Sequence, residues 1–344
     1  MPLGQPPRAE RDHFVGRSRL ALVASLVISA SLAILYGLMV RDGVRVLPEW
    51  ALRDWTQIVR GVSALAAVEN PWAPPSPAGL PYPYHDRLGY PLPALWIGQL
   101  VQGWSFGTIA FVWVLLSIGL AGLALARRNL WHVLALMSWP TMAAAALMQW
   151  SPLMVAAARF DLLVVIAICK PNIGLAVLAY RPTKRRLILV GVAVLASLVV
   201  ANPVWVRQWF DAASSLRYVP PVMIWQGGGP LLLLALLRWR LPEGRLLLTL
   251  ALLPQNLMSY DQFLLFLVCR RGRETMALVV LSWLARWYVT NSIDPVMMAV
   301  NARQQFPVPV VLLLFLPALL FVMMRPAPSS FVLEPADEPA GLAF

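Results

Sequence analysis

Charge is scarce in this sequence. Asp, Glu, Lys and Arg make up 13% of its 344 residues, about half the proportion found in soluble domains, and so few charges cannot cover an ordinary water-soluble fold. Cysteine is nearly absent: Cys169 and Cys269 are the only two. Each ends an apolar run just before basic residues, so neither a disulfide framework nor a thiolate metal site is available. The motifs of soluble enzymes are missing as well. There is no Gly-rich phosphate loop, no His-Glu-x-x-His and no nucleophile elbow, and Gly227–Gly229 reads as a helix-entry turn. No internal repeat, heptad pattern or low-complexity tract is present.

Apolar residues fill the space that charge leaves. They form 59% of the chain, with 15 Trp, 30 Pro and a mean hydropathy of +0.68, which points to a lipid bilayer as the main solvent. The net charge of +12 is carried by short basic clusters between apolar runs. That is the pattern of cytoplasmic loops, not of a nucleic-acid surface.

Hydropathy and the basic clusters predict an all-α fold, a polytopic transmembrane helical bundle of about eight full spans with additional re-entrant or half helices. Residues 1–18 are expected in the cytoplasm, 19–325 in the membrane domain with an external loop at 41–91, and 326–344 in a disordered cytoplasmic tail. Leu20–Val40 carries no charge and follows Arg8, Arg11, Arg17 and Arg19; it is too long for a signal-peptide core and is expected as an uncleaved first span. Between Pro71 and Pro93 eight prolines forbid regular structure and favour stiff extended turns. Leu92–Trp104 is too short to cross and is expected to be re-entrant or interfacial, and Ser105–Ala126 is a full span. Beyond Leu130, breaks are predicted at Trp139-Pro140 and Ser151-Pro152. Two paths then fit: one kinked return from Gln149 to the basic cluster at Arg181–Arg186, or an inner turn at Arg159 with an outward-facing break at Lys170-Pro171. The aromatic stretch Trp205–Pro221 is expected as a second external loop. Leu246–Cys269 lies between two basic ends, Arg245 and Arg270, and reads as two half-helices, a form that usually lines a cavity.

The residues able to carry chemistry are few. If Leu47–Ala66 is helical, a step of about 100° per residue puts Glu49, Arg53, Thr56, Gln57, Arg60 and Ser63 on one side. Trp50, Ala51, Trp55, Ile58, Val59, Val62 and Leu65 fall on the other, and Asp54 falls among them. An acid on the apolar face needs a partner, a cavity or a reaction; a simple pair with Arg53 or Arg60 is the alternative. Lys170 lies at membrane depth, where a charge costs about 2.5–3.5 kcal/mol on insertion scales and so requires a ligand or counter-ion. Gln149, Arg159, Asn256, Tyr260, Asp261 and Gln262 are further polar groups at or near the membrane, and His85 and Asp86 sit in the proline-rich loop, where turn chemistry alone would account for them. Asp261 at a helix break also suits an N-cap. Arg159 and Asp161, two residues apart, share no helix face and are not expected to pair.

Taken together, Asp54-Trp55 with Asn70-Pro71-Trp72, then Tyr90-Pro-Leu-Pro, Gln149, Lys170-Pro171 and Ser259-Tyr260-Asp261 resemble the GT-C glycosyltransferases, and glycosyltransferase family 87 most closely. The likeness covers most of Leu20–Cys269 through motifs of two to four residues. It departs at Tyr90-Pro91-Leu92, where the family has Tyr-Pro-Pro, and at Met148-Gln149-Trp150-Ser151, where it has Gly-Gln-x-Asn; the stretch from Gln149 to Lys170 is also short. The resemblance implies an α-mannosyltransferase of the outer face of the cell's inner membrane, with both termini cytoplasmic. It would take mannose from a polyprenyl-phosphate donor to a lipid- or glycan-linked acceptor. Asp54 maps onto the catalytic base, Lys170, Arg159 and His85 are candidates for the donor phosphate, and Tyr90, Gln149, Asn256, Tyr260 and Asp261 for the substrates. No metal or other cofactor is expected, because the donor carries only a monophosphate. A lipid-linked-sugar transporter, or a non-catalytic membrane partner, would also use broken helices and buried charges.

Overall fold

A computed structural model describes residues 8–43, 53–67, 69–72, 88–215, 218–255, 257, 260–292 and 307–326. Within them the chain is helical and forms no strand, only one isolated antiparallel bridge between Val219 and Gln255. The α-helices in order are α1 (Arg8–Gly43), α2 (Arg53–Ala66), α3 (Leu92–Leu100), α4 (Phe106–Ala126), α5 (Trp139–Ala146), α6 (Ser151–Arg159), α7 (Pro171–Tyr180), α8 (Lys184–Val200), α9 (Pro203–Ser215), α10 (Pro242–Leu252), α11 (Gly272–Ser292) and α12 (Pro307–Met323). Proline sits in the first turn of α3, α5, α6, α7 and α10, where its missing N–H costs nothing.

Those prolines cut the apolar runs short. Among the described residues two helical stretches, Ala21–Asp42 in α1 and Phe106–Ala126, are long and apolar enough to cross a membrane, or up to four if the pairs α5–α6 and α8–α9, bent by 116° and 113°, each count as one. The helical class expected from the sequence holds, while length and composition give two to four candidate spans among the described residues, against the eight that hydropathy suggested for the chain. Four connecting pieces, Leu130–Met137, Asp161–Cys169, Gly229–Arg238 and Asp261–Val268, are 3₁₀ helices. At about 2.0 Å per residue, against 1.5 Å for an α-helix, eight to ten residues reach about 16–20 Å. Stretching in this way lets a trimmed segment cover more depth.

The longest contact is α1 against α4. Along α1 the buried positions Ser25, Ser29, Ala33 and Gly37 fall one every four residues, with Val40 after them; the first four form the small-residue stripe by which helices approach closely in lipid. A Cβ built on Gly122 of α4 would lie 2.5 Å from the Ser29 side chain, so the two backbones meet there. Val23, Val27, Ile34 and Leu35 point outward.

The region from Gln149 to Arg186 settles which of the two paths the chain takes. Lys170 Nζ lies 2.9 Å from Gln149 Oε1, which brings the start of α6 to the start of α7. At the other end of α6 the buried Arg186 donates to the carbonyls of Ala157 and Arg181 and pairs with Asp161 Oδ1 at 3.1 Å. The chain therefore runs down α6, turns at Arg159-Phe160, returns through 161–169 and descends again in α7. Asp161 finds Arg186, not Arg159, as its counter-ion. A Cβ on Gly174 would come within 2.1 Å of the Ala167 carbonyl oxygen, a backbone atom with no freedom to yield. Gly174→Ala is expected to destabilise the fold by at least about 1–3 kcal/mol through overpacking, read as a lower melting temperature in detergent or nanodiscs.

The ends of the helices share one face, and arginines close it. Arg128 donates to the Leu267 carbonyl (2.9 Å), Arg238 to Met323 (3.0 Å), Arg245 to Ala179 (2.8 Å) and Tyr180 (3.2 Å), and Arg325 to Val268. Each reaches the unpaired carbonyls of a neighbouring helix's last turn, where a cation also meets the negative end of the helix dipole. Within the basic clusters that read as loop charge in the sequence, Arg128, Arg238 and Arg245 are thus C-caps supplied in trans, as is Arg325.

Glu243 pins this face. Its carboxylate accepts from Arg270 Nε (2.7 Å) and Nη2 (3.1 Å) and pairs with Arg325 Nη1 at 3.2 Å, joining the start of α10, the lead-in to α11 and the chain just past α12. The two basic ends of the 246–269 half-helix pair are therefore neighbours, as the sequence demanded. Burial alone would push the Glu243 carboxyl up, but the hydrogen bond from Arg270 and the charges of Arg325 and Arg270 outweigh it and hold it below its usual 4.5. A depressed folded-state pKa supplies stability that is present above pH 4.5 and lost as pH falls through the folded value. The melting temperature should therefore drop below pH 4.5 in the native chain, and Glu243→Gln should start lower and lose this part of the acid dependence. An identical acid limb in the variant would remove Glu243 from this role.

Candidate functional site

On the face opposite the arginines, three breaks in the helices meet. Lys170 Nζ is 2.7 Å from Asp261 Oδ1 and 2.9 Å from Gln149 Oε1, and it stands 4.7 Å over the ring of Tyr260. Asp261 and Gln149 are buried and Lys170 is 8% exposed. The counter-ion that Lys170 required is thus Asp261, 91 residues away, with an amide oxygen and an aromatic face taking up the rest of the ammonium.

Each member is held by the break it sits on. Gln149 follows α5, whose end is a Schellman motif: Gln149 N–H reaches the Ala144 carbonyl (2.8 Å) and Met148 N–H that of Ala145 (3.1 Å). Met148 takes the left-handed position at φ 50°, the one non-glycine residue among those described to do so. Glycine usually occupies it; a methionine there is strained, and its complete burial offsets the strain. Lys170 precedes the Pro171 start of α7, and Asp261 opens the 261–268 helix. None of the N-caps Trp150, Lys170 and Tyr260 supplies a side-chain hydrogen bond to its helix. Three helix N-termini, with their positive dipole ends, therefore converge on one buried carboxylate and one ammonium. The 253–260 break is stitched by amides: Gln262 Nε2 to Gln255 Oε1 (3.0 Å), Gln255 to the Leu250 carbonyl, and Asn172 Nδ2 to the Pro254 carbonyl (3.2 Å).

Beside this cluster runs a chain of aromatic rings. Trp55 meets Trp113 edge to face at 4.7 Å, Trp113 meets Trp150 at 4.8 Å, and Tyr90 lies 6.3 Å from Trp150. The short segment before α3 is clasped on both sides. Trp72 Nε1 donates to the Tyr90 carbonyl and Trp209 Nε1 to that of Gly89, each at 3.0 Å, while the Trp72 and Trp205 rings lie 6.1 Å apart, tilted by 53°. Asn70 accepts from Trp72 N–H at 3.0 Å, which forms the Asn-Pro-Trp turn. Of the stretch expected as a second external loop, Trp205–Ser215 belongs to helix α9, bent 113° from α8 with its indoles on this clasp. Three or four residues per turn put Trp205 and Trp209 on one face, so a helix presents both where a loop would scatter them.

Helix α2 carries Asp54 in its first turn. Trp55, Ile58 and Val62 are buried as the apolar face required, but Gln57, placed on the wet side by periodicity, is buried too, and Val59 is 38% exposed. The reason is the crossing with α3. Cβ atoms on Gly61 and Gly98 would fall 2.7 Å from Leu95 and 2.5 Å from Ile58, so this glycine notch draws in the Gln57–Gly61 flank. The side chain of Asp54, together with His85, Asp86 and Asn256, lies outside the described residues.

Of the residues singled out in the sequence, the structure brings together Gln149, Lys170, Tyr260 and Asp261, and places Tyr90 one ring away. Arg159 does not join them. It is exposed at the far end of α6, about 13 Å along a nine-residue helix from Gln149, and so cannot hold a phosphate beside Lys170. Sequence reasoning missed Trp113, Trp150, Asn172 and Gln255. The signal for the two indoles was there, since tryptophan favours membrane interfaces and Trp113 sits inside an apolar span. Among the described residues no three His, Cys, Asp or Glu side chains are grouped to hold a metal ion. Compared with known proteins, the chain matches no family model, no curated protein and no solved structure.

Proposed function

We propose that this chain is a membrane glycosyltransferase of GT-C type that transfers a hexose, mannose in the first instance, from a polyprenyl-phosphate donor to a lipid- or glycan-linked acceptor. The observation that carries the reading is the buried Gln149–Lys170–Asp261 cluster at three helix breaks, tied through Trp150, Trp113 and Trp55 to the turn that bears Asp54. Buried ionisable groups among broken helices mark a ligand site in membrane proteins. Further support comes from Met148: its left-handed backbone is where the GT-C pattern has glycine, so the conformation agrees although the side chain departs.

In this proposal the arginine face is cytoplasmic by the positive-inside rule, both termini lie there, the short helices assemble into the eight crossings of an inner-membrane bundle, and the site opens to the outer leaflet. The acceptor hydroxyl oxygen attacks the anomeric carbon as the bond to the phosphate oxygen breaks. Asp54 takes the hydroxyl proton, and the polyprenyl phosphate leaves with the electron pair. A single base suffices for such an inverting displacement. The phosphate gains Lys170 by replacing Gln149 or Asp261 in its hydrogen bonds, with the helix N-termini adding to the field; His85 remains a second candidate for this charge.

The test is transfer of labelled mannose from polyprenyl-phosphate-mannose by nanodisc-embedded protein to lipid extracted from its own cells. A glycosidic product supports the proposal; none, with the donor intact, overturns it. The pairing of Lys170 with Asp261 at a charge-balanced break also suits a transporter of the lipid-linked sugar, and donor crossing a vesicle membrane without any new glycosidic bond would select that reading.

A further inference from the structure

We infer that the indole chain Trp55–Trp113–Trp150, with Ser151, is a recognition site for the hydroxyls of a hexopyranosyl ring. This rests on the glycosyltransferase reading and assigns the part of the donor that its charged cluster does not.

The starting point is an accounting of donors. Trp55 Nε1, Trp113 Nε1, Trp150 Nε1 and Ser151 Oγ are all buried and, among the described residues, have no hydrogen-bond partner. An indole N–H can only donate, and native interiors leave few such groups unpaired. Four in one contiguous chain of contacts is therefore unusual. The rings can satisfy one another in part, because an edge-to-face pair can direct one N–H at the neighbouring face. There are two edge-to-face pairs here, at 4.7 Å with 69° between planes and 4.8 Å with 76°. Two pairs absorb at most two of the three N–H groups. These two pairs leave one indole N–H and the Ser151 hydroxyl unanswered.

The chemistry of the leftover groups names their ligand. They are neutral donors beside aromatic faces, so they suit neutral acceptor oxygens on a molecule that also offers C–H groups to the rings. A sugar ring has both. A phosphate is better served by Lys170, whose partner Gln149 is the residue immediately before Trp150, and the order along the chain then sets the order along the ligand. Phosphate lies at the Lys170 end, the sugar runs along Trp150 and Trp113, and the turn that carries Asp54 stands at the far end beside Trp55. Seating a ring requires Trp55 to draw back from Trp113. Trp55 rides on α2, which is seated on α3 through the glycine notch at Gly61 and Gly98.

Binding of polyprenyl-phosphate-mannose and of sugar-free polyprenyl phosphate to the full chain in nanodiscs, by titration calorimetry, tests this. Trp113→Phe and Trp150→Phe keep a ring and remove the N–H, and Ser151→Ala removes the hydroxyl. The expected result is that each indole variant weakens the mannosyl lipid about tenfold, equivalent to about 1.4 kcal/mol, while the sugar-free lipid binds as before and the variants stay folded at a somewhat lower melting temperature, as trimming a buried ring requires. Wild type preferring the mannosyl lipid, with that preference unchanged in all three variants, overturns the inference and leaves the glycosyltransferase reading standing. Equal weakening of both lipids also overturns it. A wild type that binds neither lipid removes the glycosyltransferase reading itself. Should Trp113→Phe fail to fold, Trp150→Phe and Ser151→Ala decide.

Discussion

Lys170→Met is expected to cost the folded chain about 3–5 kcal/mol, and Asp261→Leu about the same, whereas the two together should return close to wild-type stability. Removing one member strands the other charge in a buried, low-dielectric site; removing both leaves an apolar pair of similar volume, which is often neutral or even stabilising. Asp261 is fully buried and Lys170 is 8% exposed, so solvent offers either survivor little relief. Gln149 and the Tyr260 ring would still face a stranded lysine, which places Asp261→Leu at the lower end of the range. The measurement is thermal unfolding of the two single variants and the double variant in one detergent, read as a double-mutant cycle. An apolar pair would serve packing equally well, and under the proposed function the ion pair serves the donor. The double variant should accordingly be stable and inactive in the mannose-transfer assay. A double variant as unstable as the singles would make the cluster a polar network needed for folding, and a stable double variant with full activity would remove Lys170 and Asp261 from the site.

Asp54→Asn is expected to lower sugar transfer by about 10²–10⁴-fold, the usual contribution of a positioned general base, without changing the melting temperature. Asparagine keeps the shape and the helix position and loses only the capacity to take a proton. The α2 helix should tolerate it, since Trp55, Ile58 and Val62 anchor that helix and remain. Rates with labelled donor at saturation separate the two effects: an Asp54→Asn chain that still binds polyprenyl-phosphate-mannose but does not turn it over has lost the chemical step alone. Activity equal to wild type would exclude Asp54 as the base, and weakened donor binding with unchanged turnover would make it a binding residue.

Helix breaks were legible in the sequence because their causes are local. Trp139-Pro140, Ser151-Pro152 and Lys170-Pro171 each place a residue without an N–H where an α-helix must start afresh, and all three are breaks in the structure. The half-helix reading of 246–269 followed from two basic ends that both needed the same face, and Glu243 with Arg270 joins those ends. What pattern could not separate was the path from Gln149 to Arg181, since a kinked return and a double hairpin have the same hydropathy. Arg159 was grouped with Lys170 for that reason, and nine residues of α6 keep them apart.

By itself the sequence determined the solvent, the helical class and the places where helices stop, because each depends on residue type and neighbours within a few positions. Only the tertiary structure decided the partners. Lys170 could have taken any carboxylate, and the packing of three half-length helices gave it Asp261, 91 residues on; the arginines could have been solvated loop charge, and the shared direction of the helix ends made them caps. Contacts of that kind join groups far apart in the chain, and a one-dimensional pattern holds no record of which two ends will be brought together.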